Sequence, residues 1–258
     1  VPSLKKFGQV FQCISSTFGL MDFQIPFLGQ YGACSTMAQT LFMATILVES
    51  GAAEKALAVT SSHFCSAERQ FRLPLEYGGQ RSPTAQWTAT ASGCVLVGTG
   101  GPVEIRRGLA GKIQDLGVKD PANMGAAMAP AAASSIFEFL EDTHTRPEDY
   151  DGIFTGDLGL VGSRLLYECM DDNGIDLRPV HQDCGLLLYD RERQDVHAGG
   201  SGCGCSAGVL CGHLLRQMEK GELKNILFCA TGALMSPTSQ QQGLAIPGVC
   251  HVVQLVAK

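Results

Sequence analysis

The sequence predicts an α/β protein built as a duplication, and three observations carry that expectation. Cys34-Ser35 and Cys205-Ser206 each open an apolar helix. Thr60 follows Cys34 by 26 residues and Thr231 follows Cys205 by 26, each at the end of a short apolar strand. Gly93-Cys94-Val95-Leu96-Val97 and Val249-Cys250-His251-Val252-Val253 then supply matching closing strands. A spacing this long is not that of a solenoid; it marks a repeated α/β half. Helices apolar on every side are buried helices, so two halves stack them back to back in an α-β-α-β-α layering. The halves divide at residues 1–101 and 102–258. They are unequal, because only 33 residues precede Cys34. The first half therefore lacks an opening strand–helix–strand portion.

Taken in order, residues 1–12 give a weak strand signal and Cys13 to Leu20 a short helix. Ile25 to Leu28 is an edge strand leading into the turn at Gly32-Ala33-Cys34-Ser35-Thr36. The helix from Ala38 to Ser50 stops at Gly51, and its length is far below the ~20 residues of a membrane span. Ala56 to Thr60 reads as a central strand. Ser61 to Thr84 is long and aperiodic, the mark of a functional loop. Trp87 to Gly98 is a strand, and Pro102 to Val118 supplies one or two more. Ala129 to Thr143 is a helix with Pro130 in its first turn. Asp151 to Thr155 is a strand; Gly156-Asp157-Leu158 turns into a helix from Val161 to Asp172, closed by Asn173-Gly174. Asp183 to Tyr189 reads as a strand. Gly199 to Gly202 is a flexible approach to a helix from Ser206 to Glu219. Ile226 to Ala230 and Gly248 to Val256 complete the second half.

Composition narrows the function. The chain has 258 residues, is 45% hydrophobic and 17% charged, and carries a net charge of −6 with no basic run. That balance excludes a nucleic-acid binder. Its 11 cysteines are odd in number and include no Cys-x-x-Cys, so they read as reduced thiols rather than a disulfide or zinc framework. No spanning segment or lipidation motif is present, and any membrane association comes through partners. No cofactor and no metal site is expected.

Cys34 sits where a bend precedes a core helix. Unpaired N–H groups and the positive end of the helix dipole favour a thiolate or a bound anion there. The same position suits a nucleophile, an anion-binding thiol or a packing cysteine.

A duplicated α/β half with a cysteine at the tip of a buried helix resembles the thiolase-like superfamily. More narrowly, several segments are similar to the stage V sporulation protein AD family. They are Tyr31-Gly32-Ala33-Cys34-Ser35-Thr36, Thr60-Ser61-Ser62-His63, Glu76-Tyr77-Gly78-Gly79-Gln80 and Pro83-Thr84-Ala85-Gln86-Trp87-Thr88. Met128 to Ala133, Gly199-Gly200-Ser201-Gly202-Cys203 and Thr231 to Pro237 add to them. The resemblance runs from about Cys13 to the C-terminus. It implies a protein of spore formation and germination that binds dipicolinic acid, alone or as its calcium chelate. It also implies work with spore membrane channel proteins, at the periphery of the inner spore membrane. The shortened first half is expected to leave part of its sheet uncovered, which favours a homodimer over a stable monomer.

The alternative is an acyl-CoA thiolase or ketoacyl-synthase-type acyltransferase using Cys34. Such an enzyme needs a base and a donor set for the developing oxyanion. In thiolases part of that work falls to a Gly-His-Pro motif; the matching stretch here is Gly202-Cys203-Gly204, without histidine. Cys229-Ala230-Thr231-Gly232 lies near the place of the second thiolase cysteine, one residue too long. Of the histidines, His63 and His251 are the ones expected near Cys34. His144, His181 and His197 read as loop or surface residues, and His213 as a core histidine. The reading as a binder asks instead for cationic forks and an aromatic slot. Arg69, Arg72 and Arg81 supply the first; Tyr77, Gln80, Gln86 and Trp87 surround the second. A planar dicarboxylate is thus expected beside Cys34, flanked by Ser62 and His63, with Arg72 or Arg81 on a carboxylate. A third reading is an assembly subunit with a vestigial pocket.

Overall fold

The structure is a computed structural model that describes residues 4–8 (as backbone), 18–64 and 81–258. The chain runs β1 (Leu4–Gly8), β2 (Phe27–Leu28), a one-turn 3-10 helix (Ala33–Ser35), α1 (Thr36–Glu49), β3 (Lys55–Ser62), β4 (Trp87–Thr88) and β5 (Ala91–Gly98). It continues through β6 (Val103–Leu109), α2 (Met124–Thr143), β7 (Gly152–Thr155), α3 (Gly159–Asp171), β8 (His181–Asp183), α4 (Cys184–Leu188) and β9 (Gly200–Ser201). Last come α5 (Cys203–Val209), a π-helical turn (Leu210–Leu214), α6 (Leu215–Glu219), β10 (Asn225–Ala233), α7 (Pro237–Gln241) and β11 (Gly248–Ala257).

One sheet has the order β2-β1-β3-β5 and the other β6-β11-β10-β7-β8. Their central pairings match. β3 lies parallel to β1 and antiparallel to β5, as β10 lies parallel to β7 and antiparallel to β11. The outer parallel pairs β1–β2 and β7–β8 also correspond. β6, antiparallel to β11, has no counterpart beside β5 among the described residues. Among the described residues the first sheet therefore has one edge strand fewer than the second.

Strand alternation explains the layers. Along β10, Ile226, Phe228 and Ala230 face a cluster with Met37 and Leu41 of α1, Ala207 of α5, and Ala56 and Ala58 of β3. Leu227 and Cys229 face the other way, against Ile136, Phe139 and Leu166 of α2 and α3. Side chains two apart share a face, so α1 and α5 lie between the sheets while α2 and α3 cover the second sheet outside. Burial of α1 is strongest in its first half; Ile46 near its end is 44% exposed.

Several local expectations are corrected. α2 begins at Met124, and Pro130 lies inside it. The proline that opens this region is Pro121, after Asp120, whose side chain accepts from Ala122 N. Asp183 to Tyr189 is not a strand: Asp183 caps α4 by accepting from Leu186 N, and a short apolar run fits either element. Trp87 to Gly98 is two strands in different sheets, with β4 parallel to β9. The helix expected from Ser206 starts at Cys203, so Cys205 stands within its first turn. The region from Pro102 to Val118, expected to supply one or two strands, holds one, β6, with an isolated bridge at Gln114. His181 is buried and His213 exposed, the reverse of the sequence reading.

Candidate functional site

Cys34 is almost fully buried, at 7% exposure, in the middle of the one-turn helix that leads into α1. Local hydrogen bonds fix that bend. Ser35 Oγ donates to Gly32 O at 2.6 Å and Thr36 Oγ1 donates to Ala33 O at 2.6 Å. Ala33 adopts φ +49°, left-handed backbone that costs a residue with a Cβ. Gly232 of β10 packs against the turn so closely that a Cβ there would run into Gly32 O. The Cys203 thiol, at the start of α5, donates to Ala33 O at 3.2 Å.

The residue that faces Cys34 is one the sequence reading did not single out. Asp157, in the turn after β7, is fully buried, and its carboxylate hydrogen-bonds the Cys34 thiol. Ser201 Oγ donates to Asp157 Oδ2 at 2.7 Å, Gly202 N to the same oxygen at 3.1 Å, and Thr231 Oγ1 to Oδ1 at 2.9 Å. Burial pushes the Asp157 carboxyl above its ordinary range, while these donors pull it back. Tyr31, half exposed, lies near both sulfurs. Burial first, then the Cys203 and Cys34 thiol groups, raise its phenol. The available signal for Asp157 was a carboxylate in a turn directly after an apolar strand.

The residues expected at the site are distributed differently. Ser62 Oγ donates to Ala89 O at 2.7 Å and accepts from Gly204 N at 2.8 Å, so its hydroxyl ties β3 to α5. His63, the next residue, is exposed. Arg81 is held by Asp195 through Nη2 at 3.0 Å, and its guanidinium lies 4.1 Å over the Trp87 ring. Its Nη1 is buried without a hydrogen-bond partner among the described residues. Arg69, Arg72, Tyr77 and Gln80 lie outside the described residues. Trp87 pairs with Gly200, and the next rung joins Thr88 to Ser201. The Arg81–Trp87 pair therefore sits on the ribbon that also delivers Ser201 to Asp157. Gln86 secures the base of that ribbon, donating to Asp157 O and Gly200 O at 2.6 and 2.9 Å.

The described histidines have other tasks. His181 bonds Thr155 Oγ1 and the Tyr167 hydroxyl. His197 Nδ1 donates to Ser82 O, and its Nε2 meets Asp195 at 2.8 Å. His251 Nδ1 accepts from Gly111 N at 3.2 Å. Among the described residues no group of three His, Cys, Asp or Glu is arranged to hold a metal ion. The chemistry at the tip of α1 is thus a thiol paired with a buried carboxyl, beside a ribbon carrying a stacked guanidinium.

Two mixed sheets enclosing paired helices, with a cysteine at the tip of one of them, define the thiolase-like fold. Solved structures share the fold. 3-Oxoacyl-[acyl-carrier-protein] synthase III from Aquifex aeolicus VF5 has a TM-score of 0.59 at 13% identity, covering 99% of this chain and 77% of that one. A single-residue variant of OleA from Xanthomonas campestris, bound with cerulenin, has a TM-score of 0.63 at 12% identity, covering 99% of this chain and 73% of that one. The chain belongs to the Stage V sporulation protein AD (SpoVAD) family, whose family model matches residues 8–256. Stage V sporulation protein AD of Bacillus subtilis (strain 168) is 46% identical over 243 residues, covering 94% of this chain and 72% of that protein.

Proposed function

We propose that this sporulation-family protein binds dipicolinate at the Cys34 crevice and does not catalyse thioester condensation. The observation that carries the reading is Arg81: its cation is stacked on Trp87, and one buried Nη1 donor has no hydrogen-bond partner among the described residues. An unpartnered buried donor is costly; a ligand carboxylate satisfies it, while the Trp87 face suits a flat aromatic ring. The family's association with dipicolinate supplies the ligand, and its calcium chelate is the second form to test. Against condensation stands the pairing of Cys34 with a carboxyl group rather than an imidazole. A carboxylate shares the thiol proton without supplying the positive charge that favours a thiolate.

The acyltransferase reading keeps one observation in its favour, since Asp157 is a base within reach of Cys34. Titration calorimetry separates the two. Dipicolinate should bind wild type, and Arg81→Ala should weaken it roughly tenfold to a hundredfold, the worth of a charge-assisted contact. Cys34→Ala should also weaken it, and Arg72→Ala tests the other arginine expected at a carboxylate. Unaltered binding in all of these variants places the ligand elsewhere. Turnover of an acyl-CoA that vanishes in Cys34→Ala establishes the enzyme instead. We assign the site of action to the periphery of the inner spore membrane, alongside channel proteins of the same pathway. Among the described residues no helix is long and apolar enough to cross a membrane. Membrane flotation with and without those partners tests this placement.

A further inference from the structure

The hydrogen bonds of His197 fix its protonation. Its Nδ1 lies 2.9 Å from Ser82 O and its Nε2 lies 2.8 Å from Asp195 Oδ1. A carbonyl oxygen and a carboxylate oxygen only accept, so each ring nitrogen needs its own hydrogen. Asp195 is the ionised partner: the hydrogen bond from Arg81 first, then the Arg81 and His197 charges, hold its carboxyl below the usual range. The ring therefore satisfies both acceptors only as an imidazolium. The chain around it is held in place. His197 adopts φ +47°, left-handed backbone that a Cβ resists. On its C-terminal side Ala198 N donates to Ala85 O at 3.2 Å and Gly199 N to Val196 O at 2.9 Å.

The same carboxylate holds Arg81. Asp195 Oδ2 accepts from Arg81 Nη2 at 3.0 Å, and Asp195 O accepts from the same nitrogen. The guanidinium is thus pinned by Asp195 at one corner and by the Trp87 ring 4.1 Å away. A planar fork held in these two ways has a fixed orientation, and with it a fixed direction for Nη1. His197 completes the clasp, because it joins Asp195 to the carbonyl of Ser82, the residue that follows Arg81. Whichever ring proton leaves, one of the two acceptors then faces a lone pair, and the ring no longer holds both. The charged groups that face the ring among the described residues are Asp195 on its own loop and Arg81 on the segment before β4. Asp190 on the same loop is engaged by Arg193 at 3.6 Å.

We propose that His197 is a positioning residue for anion binding: its imidazolium clasps Ser82 O and Asp195 together and so aims Arg81 at a ligand carboxylate. The inference rests on the reading of Arg81 as the carboxylate donor and adds a proton requirement to it. Affinity for an aromatic dicarboxylate, whose own carboxylates stay ionised above about pH 6, rises as His197 gains its second hydrogen. Two other groups near the site act in the same direction. Burial raises the carboxyls of Asp157 and of Asp183, the latter to about 6, and protonating either also favours an anion. Variants at His197 and Asp195 isolate the share that belongs to the clasp.

The first measurement needs no ligand. Nitrogen NMR of the histidine rings at about pH 7 should show one ring protonated on both nitrogens, a resonance that His197→Asn removes and Asp195→Asn shifts. Asparagine tolerates left-handed backbone, so His197→Asn keeps the chain path, with circular dichroism confirming the fold. A neutral His197 ring overturns the proposal. In titration calorimetry wild type should bind dipicolinate roughly threefold tighter at about pH 6 than at about pH 8.5, the scale of a partly exposed ion pair. His197→Asn should lose most of that difference by binding more weakly at the lower pH. Asp195→Asn should weaken binding even though it removes a negative charge beside Arg81. Tighter binding by Asp195→Asn would show charge alone at work and overturns the positioning role, as does a pH dependence that His197→Asn leaves intact. Those outcomes leave the dipicolinate reading standing. Absence of dipicolinate binding to wild type at both pH values overturns that reading, and this inference with it.

Discussion

The Cys34 thiol and the Asp157 carboxyl share a hydrogen bond across the join between the two halves of the fold. One sits at the tip of α1 and the other in the turn after β7, so neither local segment specifies the pair. The bond also joins Cys34 to Ser201, Gly202 and Thr231, which meet the same carboxyl group.

Replacing Asp157 removes the hub of this network. Asp157→Ala leaves the Ser201 and Thr231 hydroxyls and the Gly202 N–H facing an apolar gap. Each buried group so stranded costs about 1–3 kcal/mol, and the costs of neighbours do not simply add. Urea denaturation should show a loss of at least about 3 kcal/mol. Cys34 should react faster with iodoacetamide in the folded variant, read by mass spectrometry of its peptide, because the carboxylate no longer opposes a thiolate. Unchanged stability would show that the network carries no weight.

Ser62→Ala tests whether this hydroxyl is structural. It accepts from Gly204 N and donates to Ala89 O. Its removal should lower stability by about 1–3 kcal/mol while weakening dipicolinate binding less than Arg81→Ala does. A large loss of affinity without a loss of stability reassigns Ser62 to the ligand.

Gly232→Ala should disturb the Cys34 turn from the β10 side. An added Cβ meets Gly32 O and comes within 3.1 Å of Ser35 N, backbone that cannot move aside cheaply. Overpacking of this kind costs about 1–3 kcal/mol. Gly19→Ala, where a Cβ has nothing within 4 Å, is the control. Equal melting temperatures for the two variants would refute the close packing.

His181 gives stability a pH dependence of known sign. Burial lowers its pKa from 6.5 to about 4. Thr155 Oγ1 donates to Asp183 Oδ2 and is left to accept from His181 Nε2; His181 Nδ1 then accepts from the Tyr167 hydroxyl. The imidazole is therefore neutral when folded. As pH falls below 6.5 the unfolded chain gains a proton that the folded chain refuses until about pH 4. The contribution is complete above pH 6.5 and lost towards pH 4. His251, lowered by burial too, has the same sign. Between pH 7 and pH 4, His181→Gln should lose about 3 kcal/mol less stability than wild type. An identical pH profile would contradict the assignment.

What the sequence determined by itself was local or repeated. The Cys34 bend, α1, the strands β7, β10 and β11 and the matching spacings to Thr60 and Thr231 were legible, because apolar periodicity and turn residues act over a few positions. The resemblance to the sporulation family was likewise carried by short contiguous segments. Cys34, Arg81, Gln86 and Trp87 were named in advance as site candidates, but Asp157, which meets the Cys34 thiol, was not. Tertiary structure decided that contact, since which turn faces the Cys34 thiol depends on the order β10-β7-β8 and on α1 lying against that sheet. It decided too that Ser62 ties α5 to β3 and that His181 is inside while His213 is outside. A short apolar run such as Gly185-Leu186-Leu187-Leu188 has no period long enough to choose helix over strand; the cap from Asp183 and the packing around it made the choice.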